Sequence, residues 1–159
     1  MNKYEELCQN ASDAEVKIID YPFSSDRIKG LYCDGTIALD KHICADSEKA
    51  CVLAEELGHH YTTSGDILDQ SIVENRKQEK LARAWAYNKL IGLVGIVDCY
   101  KSGCHSRSEM AEHLDVTEEF IADALEHYRS KYGTYAAVDN YVIFFEPYLG
   151  VLEWQKGGM

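Results

Sequence analysis

The chain has 159 residues, of which 46% are hydrophobic and 27% are charged, and it contains only two prolines. This composition excludes a disordered chain, and the length suits one domain or one core with a small appendage. Its 16 basic residues are outnumbered by 27 acidic ones, which gives a net charge of −11. Because direct binding of nucleic acid needs clustered Lys and Arg, we do not expect it here.

Two further features concern where the protein works. No apolar run approaches the length of a membrane span, and the first residues, Met1 to Glu6, do not form a signal sequence. We therefore predict a cytoplasmic protein without membrane contact. Six cysteines are scattered without a Cys-x-x-Cys pair, which favours free thiols over a disulfide framework or a four-cysteine zinc site.

The first third of the chain predicts a short helix and a small antiparallel sheet. Residues 3–10 are amphipathic, and apolar residues alternate over 15–21 as in a strand. The apolar runs 28–32 and 36–39 flank Cys33-Asp34-Gly35. Asp-Gly between two such runs indicates a hairpin, because glycine adopts the positive φ that the turn needs.

Two long helical patterns follow the sheet. The first begins at Asp46 or Ser47 and ends near Tyr61, and the second covers about 72–93. The composition of 62–66 predicts a loop between them. Together with the sheet, these helices make up the larger part of the expected fold.

Residues 106–131 hold two more helical stretches around a turn at 114–116, with the rhythm of a helix-turn-helix. The second stretch carries acidic side chains where a DNA-reading helix would face phosphates, namely Glu118, Glu119, Asp123 and Glu126. We therefore interpret this part as a structural subdomain or a partner-docking surface. The β-prone run 141–145 predicts a terminal strand.

The segment from Val52 to Tyr61 is the most informative, because it contains a Glu-Glu-x-x-His pattern. Glu55 and His59 are four residues apart, so they share one helix face and can reach one metal ion. Glu56 follows Glu55 directly, where a general base for a metal-bound water would stand. A third ligand should come from a later element, and Glu79 on the next helix is the best candidate.

A competing register uses Glu56 and His60 as the pair of ligands. It ranks lower, because Glu55 would then stand on the wrong side of the pair to act as the base. In the favoured register, His60 is a surface residue, a partner of a ligand, or a donor to a substrate oxyanion. A solvated acidic helix face is the alternative to any metal site.

The segment 53–60, followed by Gln78-Glu79-Lys80-Leu81-Ala82-Arg83-Ala84-Trp85-Ala86, resembles the ImmA/IrrE-type metallopeptidases. These are zincin-like proteins of mobile genetic elements and stress responses, with one helix that carries His-Glu-x-x-His. A later helix carries Glu-x-x-Ala-Asn-x-Phe-Ala. The resemblance implies three zinc ligands and a catalytic base at the positions identified above, Glu55, His59, Glu79 and Glu56.

Two residues depart from the pattern of this family. Arg83 stands where asparagine is usual, and Glu55 stands where the first histidine is usual. One imidazole and two carboxylates shift the preference of the site from zinc toward harder ions such as manganese. The site is therefore either a working variant that binds one divalent ion or a degenerate one.

The resemblance also implies a fold and a function. We expect an α+β chain with a zincin-like core in residues 1–95, built from the small antiparallel sheet and the active-site helix. A helical, helix-turn-helix-like part with a terminal strand would follow in residues 96–159. The implied activity is that of a phage or mobile-element endopeptidase, which cuts a partner regulator such as a DNA-binding repressor.

Two other functions and one substrate site complete the expectations. The chain could instead be an inactive binding module that sequesters a regulator, or a protease component of a toxin. In zincin-like folds the strand beside the metal helix has a free edge, with which an extended peptide can pair. The candidate edge is Thr36, Ile37, Ala38 and Leu39, and an ordinary core strand is the alternative.

Overall fold

The computed structural model describes residues 1–62 and 72–154, apart from the side chains of 72–74. Most of the loop predicted at 62–66 lies outside the described residues. The described part contains six helices and six strands, so the chain has an α+β fold. None of these helices is long and apolar enough to cross a membrane.

The chain divides into two compact units, of which unit 1 is Met1–Leu90. Its elements are α1 (Lys3–Asp13), β1 (Lys17–Tyr21), β2 (Gly30–Cys33), β3 (Thr36–Asp40), α2 (Asp46–Thr62) and α3 (Ile72–Leu90). Helix α2 is central, because it contacts α1, α3, β2 and β3. Its buried residues recur at helical spacing, which is why this segment folds as the sequence predicts.

The sheet of unit 1 has the order β1-β3-β2, with β1 parallel and β2 antiparallel to β3. The sheet is mixed, so the expectation of an antiparallel sheet is wrong for β1. The free edge predicted at Thr36–Leu39 is also wrong, because these residues form the central strand. Ile37 is 0% and Leu39 is 2% exposed, and such fully buried side chains favour the strand that has a neighbour on each side.

The hairpin predicted around Asp34 and Gly35 is confirmed. The two residues have φ values of 44° and 78° and join β2 to β3 in a two-residue turn. Positive φ at both positions matches the right-handed twist of the strands, and Asp-Gly suits it because both residues tolerate the left-handed region.

Helices α2 and α3 approach each other very closely at Gly58. A Cβ atom at this position would lie 2.3 Å from the carbonyl oxygen of Ala82. Ala82 and Ala86, both 0% exposed, form the facing surface of α3. These small residues bring the backbones together, so His59, which follows Gly58, lies beside α3.

The second long helix of the sequence prediction is interrupted. Helix α3 ends at Leu90, Ile91 has φ −121° and ψ −75°, and Gly92 has φ 66°. Glycine tolerates this left-handed backbone, and Gly92 is the first residue of a new helix in unit 2. The boundary that we expected after residue 95 falls inside this new helix.

Unit 2 covers Ile91–Met159. Its elements are α4 (Gly92–Lys101), α5 (Arg107–Leu114), α6 (Glu118–Tyr132), β4 (Tyr135–Val138), β5 (Tyr141–Phe144) and β6 (Gly150–Glu153). The two helices predicted around a turn are confirmed as α5 and α6. Asp115 ends α5 in the left-handed region, and the Thr117 side chain accepts a hydrogen bond from the Phe120 N–H at 3.1 Å.

The end of unit 2 contains more sheet than the sequence predicts. The strands have the order β4-β5-β6 and all pair antiparallel, whereas only β5 was expected. Strands β4 and β6 have four residues each, and half of these residues are exposed. Such short, weakly patterned strands depend on pairing with β5, which the local sequence does not reveal.

Candidate active site

A cleft of about 640 Å³ lies in unit 1 between β2 and the helices α2 and α3. Its lining includes all four residues that the sequence placed in a metal and catalytic site, Glu55, Glu56, His59 and Glu79. Three of them lie on the cleft-facing side of α2, since positions three and four apart share one face of a helix. Glu79 lies on α3. The close contact at Gly58 holds α3 against α2, so Glu79 faces the same cleft.

His59 and Glu79 form a direct pair across the two helices. The His59 Nε2 and Glu79 Oε2 atoms are 3.0 Å apart, and the Arg83 Nε lies 3.3 Å from the other carboxylate oxygen. The hydrogen bond that His59 donates to the Glu79 carboxylate raises the pKa of His59 and lowers the pKa of Glu79. The pair is therefore stabilised in its charged form.

Glu56 has the opposite electrostatic environment. Burial and the nearby charges of Glu55 and Glu79 raise its pKa to about 7, although His59 and a hydrogen bond from the Tyr32 N–H act in the opposite direction. The group therefore exchanges its proton near neutral pH, which is the property that a general base requires.

Strand β2 presents its unpaired edge to this cleft. The Asp40 N–H donates to the Lys29 carbonyl at 2.8 Å, so the opposed residues Gly30 and Leu39 do not exchange ladder hydrogen bonds. Because the two kinds of pair alternate along an antiparallel ladder, the backbone groups of Gly30 and Tyr32 point outward. No other strand of the described residues pairs with this edge.

Gly30 lets β2 lie close to α2. A Cβ atom at this position would lie 2.7 Å from Val52 Cγ1 and 3.0 Å from Glu56 Cγ. The hairpin could not approach the helix so closely with a larger residue. This contact allows the Tyr32 N–H to reach the Glu56 carboxylate.

His60 points away from the cleft and bonds to Tyr32. The Gly35 N–H donates to the Tyr32 hydroxyl oxygen at 3.2 Å, and the His60 Nδ1 lies 2.7 Å from the same oxygen. His60 is not among the residues that line the cleft, which favours the register that uses Glu55 and His59.

The donor atoms of Glu55, His59 and Glu79 fit a divalent ion in kind, because they offer one imidazole nitrogen and carboxylate oxygens. A nitrogen and an oxygen bound to one tetrahedral zinc ion would lie about 3.3 Å apart, close to the 3.0 Å between His59 and Glu79. No group of three or more His, Cys, Asp or Glu side chains in residues 1–62 and 75–154 is arranged to hold a metal ion.

Sequence reasoning missed several residues that shape the cleft. Tyr32 and Gly30 act through backbone groups, which no side-chain pattern reveals. Arg27, Lys29 and Arg83 add positive charge to the lining of the cleft. Lys29 pairs with Glu48 and Arg83 pairs with Glu79. Only the position of Arg83, four residues after Glu79 on one helix, could have been predicted from spacing.

Comparisons with protein-family models, with curated proteins and with solved structures found no match to this chain.

Proposed function

We propose that this chain is a cytoplasmic, zincin-like metal-dependent endopeptidase whose active site is the cleft of unit 1. The main support is the environment of Glu56, a partly buried carboxyl with a pKa of about 7 beside the pair of His59 and Glu79. A general base is most effective when its pKa is close to the working pH.

The chain's own residues would divide the work between binding and proton transfer. Glu55, His59 and Glu79 would hold one divalent ion, zinc or manganese, which when bound activates water and polarises the peptide carbonyl. Glu56 would accept the proton of the attacking water and deliver it to the leaving amine. The Tyr32 N–H would keep the Glu56 carboxylate oriented toward the cleft.

The outer edge of β2 is the proposed binding site for the substrate. An extended peptide could pair with the outward backbone groups of Gly30 and with the Tyr32 carbonyl, and its scissile bond would then lie close to Glu56. By the resemblance described above, the peptide would belong to a regulator such as a DNA-binding repressor of a mobile element.

The test uses the purified chain and a repressor protein encoded beside its gene. We expect stoichiometric binding of a divalent metal and cleavage of the repressor that a chelator stops. Glu56→Gln should lower the cleavage rate by about 10²–10⁴-fold, the usual contribution of a general base. Glu126→Gln, at an exposed position on α6, is the matched control and should cleave at the wild-type rate. Equal cleavage by wild type and Glu56→Gln would refute the proposal.

A second candidate function is that of a binding module that sequesters the regulator without cutting it. The direct bond between His59 and Glu79, which satisfies both groups, favours it. The glutamate at position 55 adds to this argument. Absence of metal binding, together with equal binding of the regulator by wild type and Glu79→Ala, would decide for this function.

A further inference from the structure

The C-terminal end of α4 brings two cysteines together in unit 2. The Cys104 N–H donates to the Cys99 carbonyl at 3.0 Å, and the Gly103 N–H donates to the Tyr100 carbonyl at 3.1 Å. Gly103 has φ 81°, so the turn has the hydrogen bonds and the left-handed glycine of a Schellman motif. In this motif the side chains of the residues joined by the longer bond are usually in contact.

The contact in this protein is between two thiols. The Cys104 thiol is near enough to raise the pKa of Cys99, and neither cysteine is in a disulfide. The Cys104 Sγ also donates to the Glu109 carbonyl at 3.7 Å. The backbone bond between the two residues limits their Cα separation to at most about 7 Å. Disulfides span Cα separations of roughly 4.4–6.8 Å, so little backbone movement is needed to join the sulfurs.

The two thiols differ in access. Cys99 is 2% exposed, whereas Cys104 is partly exposed, and both line a cavity of about 330 Å³ in unit 2. Burial and the neighbouring Cys104 raise the pKa of Cys99 to about 12. Since the thiolate is the reactive form, Cys104 is the thiol that a small oxidant would meet and oxidise first.

We propose that Cys99 and Cys104 are a redox modification site, at which a hydroperoxide produces a reversible intramolecular disulfide. The Cys104 thiolate attacks the O–O bond of hydrogen peroxide, which leaves a sulfenic acid on Cys104 and releases water after proton uptake. Cys99 then attacks the Cys104 sulfur. The S–S bond forms, the S–O bond breaks, and the oxygen leaves as water with the Cys99 proton. Two thiols and one peroxide thus give one disulfide and two waters.

Trypsin can locate this disulfide directly, because Lys101 lies between the two cysteines and Arg107 follows them. Cleavage gives the peptides 90–101 and 102–107, each with one cysteine. The full chain is treated with hydrogen peroxide, the remaining thiols are alkylated, and the digest is analysed by mass spectrometry without reduction. We expect the two peptides to be joined in the monomeric protein, with the loss of two of the six free thiols. A dithiol reductant should restore both thiols.

Two variants serve as controls for this experiment. Cys104→Ser should abolish the linked pair of peptides and leave Cys99 reduced. Cys44→Ser removes an exposed thiol outside unit 2 and should not change the yield of the linked pair. The proposal is overturned if wild-type peptides 90–101 and 102–107 are recovered unlinked at peroxide doses that already oxidise the exposed Cys33 and Cys44.

Discussion

Both units combine helices with a three-stranded sheet, but they place charged groups differently. In unit 1, Glu56 and His59 lie partly buried in a cleft, close to other carboxylates. In unit 2, the ion pairs of Arg129 with Glu126 and Glu146 lie on the exposed surface. The difference shows that the environment of a charged side chain distinguishes a candidate active site from an ordinary surface.

Two glutamates make this comparison concrete. Burial raises the pKa of Glu56, whereas the hydrogen bond from Arg129 lowers the pKa of Glu126. Both residues lie on amphipathic helices with acidic faces, so their local sequences do not separate them. The neighbouring strand and helix in unit 1 partly bury Glu56, whereas Glu126 is exposed.

The largest effect should come from the helix contact that builds the cleft. Gly58→Ala places a Cβ atom 2.3 Å from the carbonyl oxygen of Ala82, so α2 and α3 must separate. We expect the free energy of unfolding to fall by about 3 kcal/mol, measured by denaturant titration with circular dichroism.

The matched control for this substitution is Gly95→Ala in α4. A Cβ atom there would lie 3.5 Å from Ile91, an ordinary contact. Since alanine is the better helix former, this variant should be more stable by roughly 0.5–1 kcal/mol. A Gly58→Ala variant as stable as wild type would contradict the close packing of α2 and α3.

The second effect tests the burial of Glu56 in metal-free protein. A carboxyl with a raised folded pKa keeps its proton longer in the folded state, so ionisation destabilises the fold. The cost is absent below the ordinary pKa of 4.5 and complete above about 7. Glu56→Gln should therefore raise the free energy of unfolding at pH 8 by up to about 3 kcal/mol and leave it unchanged near pH 4.

Glu126→Gln should change the free energy of unfolding in the opposite direction. The pKa of Glu126 is lowered, so its charged form adds stability above the ordinary pKa, and this stability is lost as the pH falls through the folded pKa. The variant should be slightly less stable than wild type at pH 8. Denaturant titrations of both variants at pH 4 and pH 8 measure these changes. If both substitutions changed the free energy of unfolding at pH 8 in the same direction, the proposed difference between the environments of Glu56 and Glu126 would be refuted.

A third, smaller effect concerns the pair of His59 and Glu79. The raised pKa of His59 means that the pair adds stability below the ordinary pKa of 6.5, and this stability is lost as the pH rises through the folded pKa. In Glu79→Gln, a nuclear magnetic resonance titration of His59 should give a lower pKa than in wild type, both measured with a chelator. The loss of stability should stay at or below about 1 kcal/mol, since Glu79 is partly exposed.

The smallest effect should come from Tyr32→Phe. This variant removes the hydroxyl that accepts from the Gly35 N–H and meets the His60 Nδ1, and the free energy of unfolding should fall by about 1 kcal/mol. Tyr135→Phe, at an exposed tyrosine on β4, is the control and should change it by less than about 0.5 kcal/mol. Equal effects of the two variants would show that the Tyr32 hydroxyl does not anchor the hairpin.

Local patterns in the sequence predicted much of the fold. Helical spacing in 46–61 and the Asp-Gly turn each depend on contacts within a few residues, and both are confirmed. Spacing also selected four residues that line one cleft. By contrast, β4 and β6 were missed, because they are short and weakly patterned and depend on pairing with β5. One long helix was predicted where α3 and α4 are separate, because a glycine alone does not show that the backbone turns left-handed at Gly92.

The sequence by itself determined that Glu55, Glu56 and His59 share a helix, because the helical period is a local property of the backbone. Only the tertiary structure decided that β2 provides the free edge, that His60 contacts Tyr32, and that Glu56 is partly buried. Strand order and burial arise from pairing between segments distant in the sequence. They set the pKa of Glu56, and with it the chemistry that the cleft can support.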